Sequence, residues 1–132
     1  MGAAMRGMTL IEVLVALTIF SFGILGMLGM QARAISYYSD AKNRTDAVLL
    51  SEALINDIWV NRANMASYTY GGGAAPLVMQ NWVTELQATL PKGAATVAVT
   101  PASGTVQVTI TWQPPNATVA HTHTEIATIQ NP

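Results

Sequence analysis

Residues 6–33 read RGMTLIEVLVALTIFSFGILGMLGMQAR, and the fold is decided by this stretch. From Val13 to Ala32 there are 20 consecutive residues without a charge. As a helix rising ~1.5 Å per residue, such a run crosses a hydrocarbon core of ~30 Å. Glu12 stands directly before the run and Arg33 directly after it. The segment upstream, MGAAMRG, carries one positive charge, Arg6, which suits a cytoplasmic N-terminus under the positive-inside rule. A secretory signal peptide fits less well, because its apolar region spans ~7–15 residues and ends at a small-residue cleavage site. Nothing between Gly29 and Arg33 has that form.

Past Arg33 the pattern becomes amphipathic. Tyr38, Ala41, Val48, Ile55, Ile58 and Trp59 recur at helical spacing, while Asp40, Lys42, Arg44, Asp46, Asp57 and Arg62 take the other face. No Pro precedes Pro76, so the simplest reading is one helix from about Thr9 to about Met65, on the order of 85 Å long. Half of it would be a membrane span and half a packing face. The Gly71-Gly72-Gly73 stretch is a flexible connection; a P-loop would need a following Lys and Ser or Thr. Val78 to Leu90 places Val78, Trp82, Leu86 and Leu90 four apart, which predicts a short amphipathic helix closed by Pro91 and Gly93 and covering one end of a sheet.

The remainder reads as β. Thr105 to Gln113 alternates without a fault, with Val106, Val108, Ile110 and Trp112 on one face. Ala94 to Thr100 is its hairpin partner across the turn Pro101–Gly104. Ala117 to Ile129 supplies a third strand of open register, since Val119 and Ile126 have opposite parity. The expected fold class is α+β, a long N-terminal helix packed on a small three-stranded antiparallel sheet. Its core is expected to hold Val48, Ile55, Trp59, Trp82, Val106, Val108, Ile110 and Trp112.

Composition narrows the function. The 132 residues include 6 Lys and Arg against 7 Asp and Glu, and ten of these thirteen charges fall at or before Arg62. No basic patch is available for phosphate contacts, so nucleic acid is not an expected partner. Cys is absent, which removes disulfides, thiolate metal sites and cysteine nucleophiles. The hydrophobic share of 51% is high for a small soluble domain and points to lipid or protein neighbours.

Arg6-Gly7-Met8-Thr9-Leu10-Ile11-Glu12-Val13, leading straight into the apolar helix, closely resembles the processing signature of type IV pilins and type II secretion pseudopilins. Within that family the run through Arg33 looks most like the minor pilins. The resemblance implies a structural and assembly role; with no cofactor fingerprint, no paired carboxylate cleft and two His in the chain, neither enzymatic activity nor a cofactor is expected. A prepilin peptidase would cut between Gly7 and Met8 and methylate the new amine of Met8. It also implies residues 1–7 as leader, 8–32 as membrane and filament-core helix, and 33–132 as a periplasmic globular domain. The chain would sit in the inner membrane with its N-terminus cytoplasmic before assembly, and in a pilus at the cell surface afterwards. The partners implied are the peptidase, a major pilin, other minor pilins and a tip adhesin; the role implied is initiation and assembly of the fibre at its tip. The alternative is a minor pseudopilin of a type II secretion system.

Glu12 has a physical reading of its own. A carboxylate at mid-membrane costs roughly 2.5–3.5 kcal/mol, so one placed beside an apolar run needs a cation. The family pairing is with the N-terminal amine of a neighbouring subunit, which makes Glu12 the subunit-assembly residue. The competing reading is a capping box, since Thr9-Leu10-Ile11-Glu12 has the T-x-x-E form. Gly23, Gly26 and Gly29 lie on nearly one helix face. They serve either close helix packing in the membrane or, as the family implies, local melting when the subunit enters the fibre.

Weaker signals complete the reading. His121 and His123 on one strand face could ligate a metal, but without a third ligand in view an exposed pair is the expectation and no metal is assigned. Asn43-Arg-Thr45 and Asn116-Ala-Thr118 fit the glycosylation pattern, which is short enough to arise by chance. No arrangement of Ser, His and Asp suggests catalysis. Two readings of other kinds are a pilin that takes up DNA, disfavoured because Lys92 is the one base beyond Arg62, and a plain membrane anchor with an uncut leader.

Overall fold

The computed structural model describes residues 3–115 and 117–130, with side chains from Thr9 onward. The elements follow in the order α1 (Ala3–Val60), two 3-10 segments (Arg62–Tyr68 and Leu77–Met79), α2 (Gln80–Thr89), β1 (Ala94–Thr100), β2 (Thr105–Trp112) and β3 (His121–Thr128). The chain divides into two units, one ending at Ser39 and the other beginning at Asp40, and α1 contributes to both. The class is α+β, with the second half of α1 on a three-stranded antiparallel sheet of order β1-β2-β3.

Helix α1 starts before the expected Thr9 and stops before the expected Met65. At its start Ala3, Ala4 and Met5 are good helix formers with no breaker among them, so the helix runs through Thr9 to Glu12 and these two residues lie in its interior, not at a cap. At its end Asn61 leaves helical geometry at φ −99° and ψ 27°. Its side chain donates to the Tyr68 hydroxyl at 2.9 Å, a use of the amide that competes with continuing the helix.

The buried face of α1 is rotated from the expected one. Ala47, Leu50, Ser51, Leu54, Ile55 and Ile58 are buried together with Asn43, whereas Tyr38, Ala41, Val48 and Trp59 are exposed, Trp59 at 46%. The positions that meet the sheet include the small Ala47 and Ser51, which let the backbones approach, and a reading by size of apolar side chain passes over them. In the same way Met79, Val83, Leu86 and Leu90 are buried around α2, while Val78 is exposed and Trp82 is partly buried. The Trp82 indole still fixes α2 to α1 by donating Nε1–H to the Leu50 carbonyl at 2.9 Å.

Strands β1 and β2 fall where alternation places them, with Val97 opposite Val108 and Ala95 opposite Ile110. Val106, Val108, Ile110 and Trp112 all face the core. Strand β3 settles the open register in a third way. Neither Val119 nor Ile126 is buried; the row turned toward α1 is His121, His123, Glu125 and Ala127, and the apolar return is Ile129, fully buried. The outer face of the sheet is uncharged and rich in Thr, with Thr96, Thr109 and Thr124 in one cross-strand row.

Candidate functional site

The segment with the most specific chemistry is the head of α1. The side chains of Gly7's neighbours through Met8 lie outside the described residues, as do Met1 and Gly2, while the backbone from Ala3 is helical. Glu12 is exposed and has no ion pair among the described residues. The next described base along the helix is Arg33, 21 positions on in the sequence, or about 31 Å along the axis. A carboxylate so placed is neutralised only by a cation from beyond the described side chains.

The stretch after Glu12 suits an apolar surrounding. Its described residues from Thr9 to Ser39 are exposed, and the helix from Thr9 is long and apolar enough to cross a membrane. Its hydroxyls do not disturb that: Thr18 donates to the Leu14 carbonyl at 2.8 Å and Ser21 to the Leu17 carbonyl at 2.7 Å. These two hydroxyl hydrogens are thus satisfied within the helix, as lipid requires. Gly23, Gly26 and Gly29 each open onto empty space, where an added Cβ meets nothing within 4 Å. Among the described residues no packing requires glycine there.

A second constellation, in the unit from Asp40 onward, lies between α1 and β3. His121 and His123 do share a face, but that face is turned inward and half-buried, not exposed as expected. His121 Nε2 is 3.4 Å from Asp40 Oδ1, and its ring stacks on Trp112 at 5.6 Å between centroids. His123 Nε2 lies 3.2 Å from Ser51 Oγ, whose hydroxyl also meets the Glu125 carboxylate. Sequence reasoning missed Ser51, Glu125 and Asp40 as partners. The one available signal was that His121, His123 and Glu125 occupy alternate positions of one strand.

Although Ser51, His123 and Glu125 are the residue types of a hydrolase triad, their arrangement is structural. Ser51 is 0% exposed, so no substrate reaches the hydroxyl. The carboxylate approaches that hydroxyl itself and does not orient the far nitrogen of the imidazole, as a relay requires. Among the described residues no three His, Asp, Glu or Cys side chains gather closely enough to hold a metal. Of the two glycosylation patterns, Asn43 is buried at 6% exposure and Asn116 lies outside the described residues.

At the far end of α1, Tyr68 is buried and donates to Asp57 Oδ2 at 2.8 Å. Burial first, and the hydrogen bond to Asp57 second, raise the phenol above its ordinary range.

Residues 3–28 match the family model described as the prokaryotic N-terminal methylation motif. The match takes in Gly7, Met8, Glu12, Gly23 and Gly26 and ends one residue before Gly29. No curated protein and no solved structure matches the chain. A prepilin-type methylation motif therefore stands at the head of an exposed apolar helix, and the similarity lies entirely within α1.

Proposed function

We propose that this chain is a pilin-like structural subunit, cut by prepilin peptidase between Gly7 and Met8, methylated on the amine of Met8, and assembled through Glu12. The observation that carries this reading is the methylation motif over residues 3–28, set on a helix whose only acid before Arg33 is Glu12, exposed and without an ion pair among the described residues. On this reading residues 1–7 are the leader, 8–32 the span that becomes filament core, and 33–132 the periplasmic domain. The leader stays on the cytoplasmic side of the inner membrane until it is removed. Loss of Met1 to Gly7 leaves Glu12 as the fifth residue of the mature chain, where a neighbour's methylated amine neutralises it.

Within that class the chain is a minor type IV pilin that initiates assembly at or near the fibre tip, similar over LIEVLVALTIFSFGILGMLGMQARA to the minor pilin PilV. The charge-poor domain supports this. Beyond Arg62 it has Glu85, Lys92 and Glu125 alone, few groups for repeated lateral salt bridges, and its uncharged Thr-rich sheet face suits a small set of fixed partners such as other minor pilins or a tip adhesin. A type II secretion minor pseudopilin would share the leader, Gly7 and Glu12.

Intact-mass measurement of the protein from cells with and without the peptidase tests the reading. A mature chain starting at Met8 and heavier by one methyl group, found only with the peptidase, is expected; an intact leader in both strains overturns it. Quantitative mass spectrometry of sheared fibres then tests the minor role, for which a small fraction of the major subunit is expected and near-equal amounts refute initiation.

A further inference from the structure

Strand β3 is the last strand and an edge of the sheet, and the way it is attached differs from its neighbours. β1 and β2 turn Ala95, Val97, Val106, Val108, Ile110 and Trp112 toward the core. β3 turns His121, His123 and Glu125 toward α1, so apolar burial contributes little to holding it there before Ile129. Its contacts with α1 run instead through two polar clusters, and in both the supply of hydrogens falls short.

In the first cluster, Asp40 Oδ2 accepts from Arg44 Nε at 3.1 Å, while Asp40 Oδ1 is buried and has no hydrogen-bond partner. The group nearest to supply one is His121 Nε2, 3.4 Å away, with its ring held by Trp112 of β2. In the second, the Ser51 hydroxyl has one hydrogen and two oxygens to serve, the Val48 carbonyl at 2.8 Å and the Glu125 carboxylate. A neutral His123 with its proton on the far nitrogen would present Nε2 at 3.2 Å as a third acceptor. An imidazolium supplies Asp40 Oδ1 with the hydrogen it lacks and spares Ser51 a third acceptor. His121 then donates to Asp40 as an ion pair, and His123 always donates to Ser51 while its charge faces Glu125, 3.8 Å away. The other charged pair on this stretch of α1, Lys42 with Asp46 at 2.6 Å, is satisfied within the helix. β2 brings only Ile110 and Trp112 opposite these histidines.

We propose that β3 docks on α1 through a proton-operated latch, closed when His121 and His123 are charged against Asp40 and Glu125 and loosened when they are neutral. Docking that takes up protons strengthens as pH falls and weakens as it rises. An ordinary imidazole changes charge between about pH 5 and 8, which is the range to test. Above neutrality the C-terminal strand is then the least firmly held part of the unit. The latch is independent of leader processing and of assembly through Glu12.

The test is hydrogen exchange of the full chain in detergent micelles at about pH 5.5 and about pH 8, with rates corrected for intrinsic exchange and read for residues 121–128 against 94–100. Two partly exposed pairs of modest strength predict about fivefold greater protection of β3 at the lower pH, with β1 unchanged. The double variant His121→Gln/His123→Gln is expected to abolish the difference. Should it not fold, Asp40→Asn with its near-identical size is expected to reduce the difference in the same peptides. Equal protection of β3 at the two pH values overturns the latch, as does a pH difference that survives in the variants or one that β1 shares.

Discussion

Replacing Gly104 by Ala tests how the end of β3 is anchored. Gly104 closes the β1–β2 turn at φ 67°, a left-handed conformation that costs a residue with a Cβ ~1–2 kcal/mol. Its carbonyl accepts the Ile129 amide at 2.7 Å. A methyl group there would overlap the Ile129 carbonyl oxygen and lie 3.0 Å from its carbon, so the obstacle is backbone and the chain at Ile129 must move. Ile129 is fully buried and is the one large apolar residue by which the chain re-enters the core after the polar row of β3. Displacing it forfeits part of the ~2–5 kcal/mol that a buried Ile contributes. With the backbone strain, the expected loss is ~3 kcal/mol, a fall of roughly 12–24 °C in Tm for a unit of this size. Near-ultraviolet circular dichroism of the full chain in detergent follows it through the tryptophans. Gly73→Ala, where an added Cβ meets nothing within 4 Å, is the control and should change stability by less than ~0.5 kcal/mol. If both variants melt alike, the account of the Gly104–Ile129 contact is wrong.

Three further outcomes follow from the same structure. Trp112→Ala removes a ring that is 2% exposed and stacked on His121, and should cost ~3–5 kcal/mol in chemical denaturation; an unchanged midpoint would show that the ring contributes nothing to the core. Because the Tyr68 phenol is raised in the folded state, the folded chain holds that proton more tightly than the unfolded one, so its contribution is complete below about pH 10 and is lost as pH rises beyond it. Tyr68→Phe should flatten this alkaline loss, for about 1 kcal/mol of hydrogen bonding forgone at neutral pH, in melts at a series of pH values. Glu12→Leu should insert into the membrane as well as wild type or better yet be missing from sheared fibres, and its normal incorporation would remove the assembly role.

What the sequence made legible follows from how local each signal is. The faultless alternation of Thr105 to Gln113 and the Pro101–Gly104 turn are each complete within a few residues, and β2 and its turn appear there; the uncharged run after Glu12 is helical throughout, inside a longer α1. The motif at Gly7 to Glu12 is equally local, and residues 3–28 match a family model on that ground. The packing face of α1 was not legible, because apolar residues occur all round this part of the helix and the sheet selects the small Ala47 and Ser51 over Val48 and Trp59.

The third strand shows why its register could not be read from apolar parity. Val119 lies outside β3 and Ile126 points to solvent, while the inward row is polar and has meaning only beside Asp40 and Ser51, more than seventy positions away. Inward-pointing charge on an edge strand also has a physical use. A strand that slid or flipped by one residue would turn His121, His123 and Glu125 to solvent and press Thr122, Thr124 and Ile126 against α1, breaking both polar clusters at once. The same residues therefore fix the register of an edge that apolar packing alone leaves open, and they make its hold on the helix depend on protons.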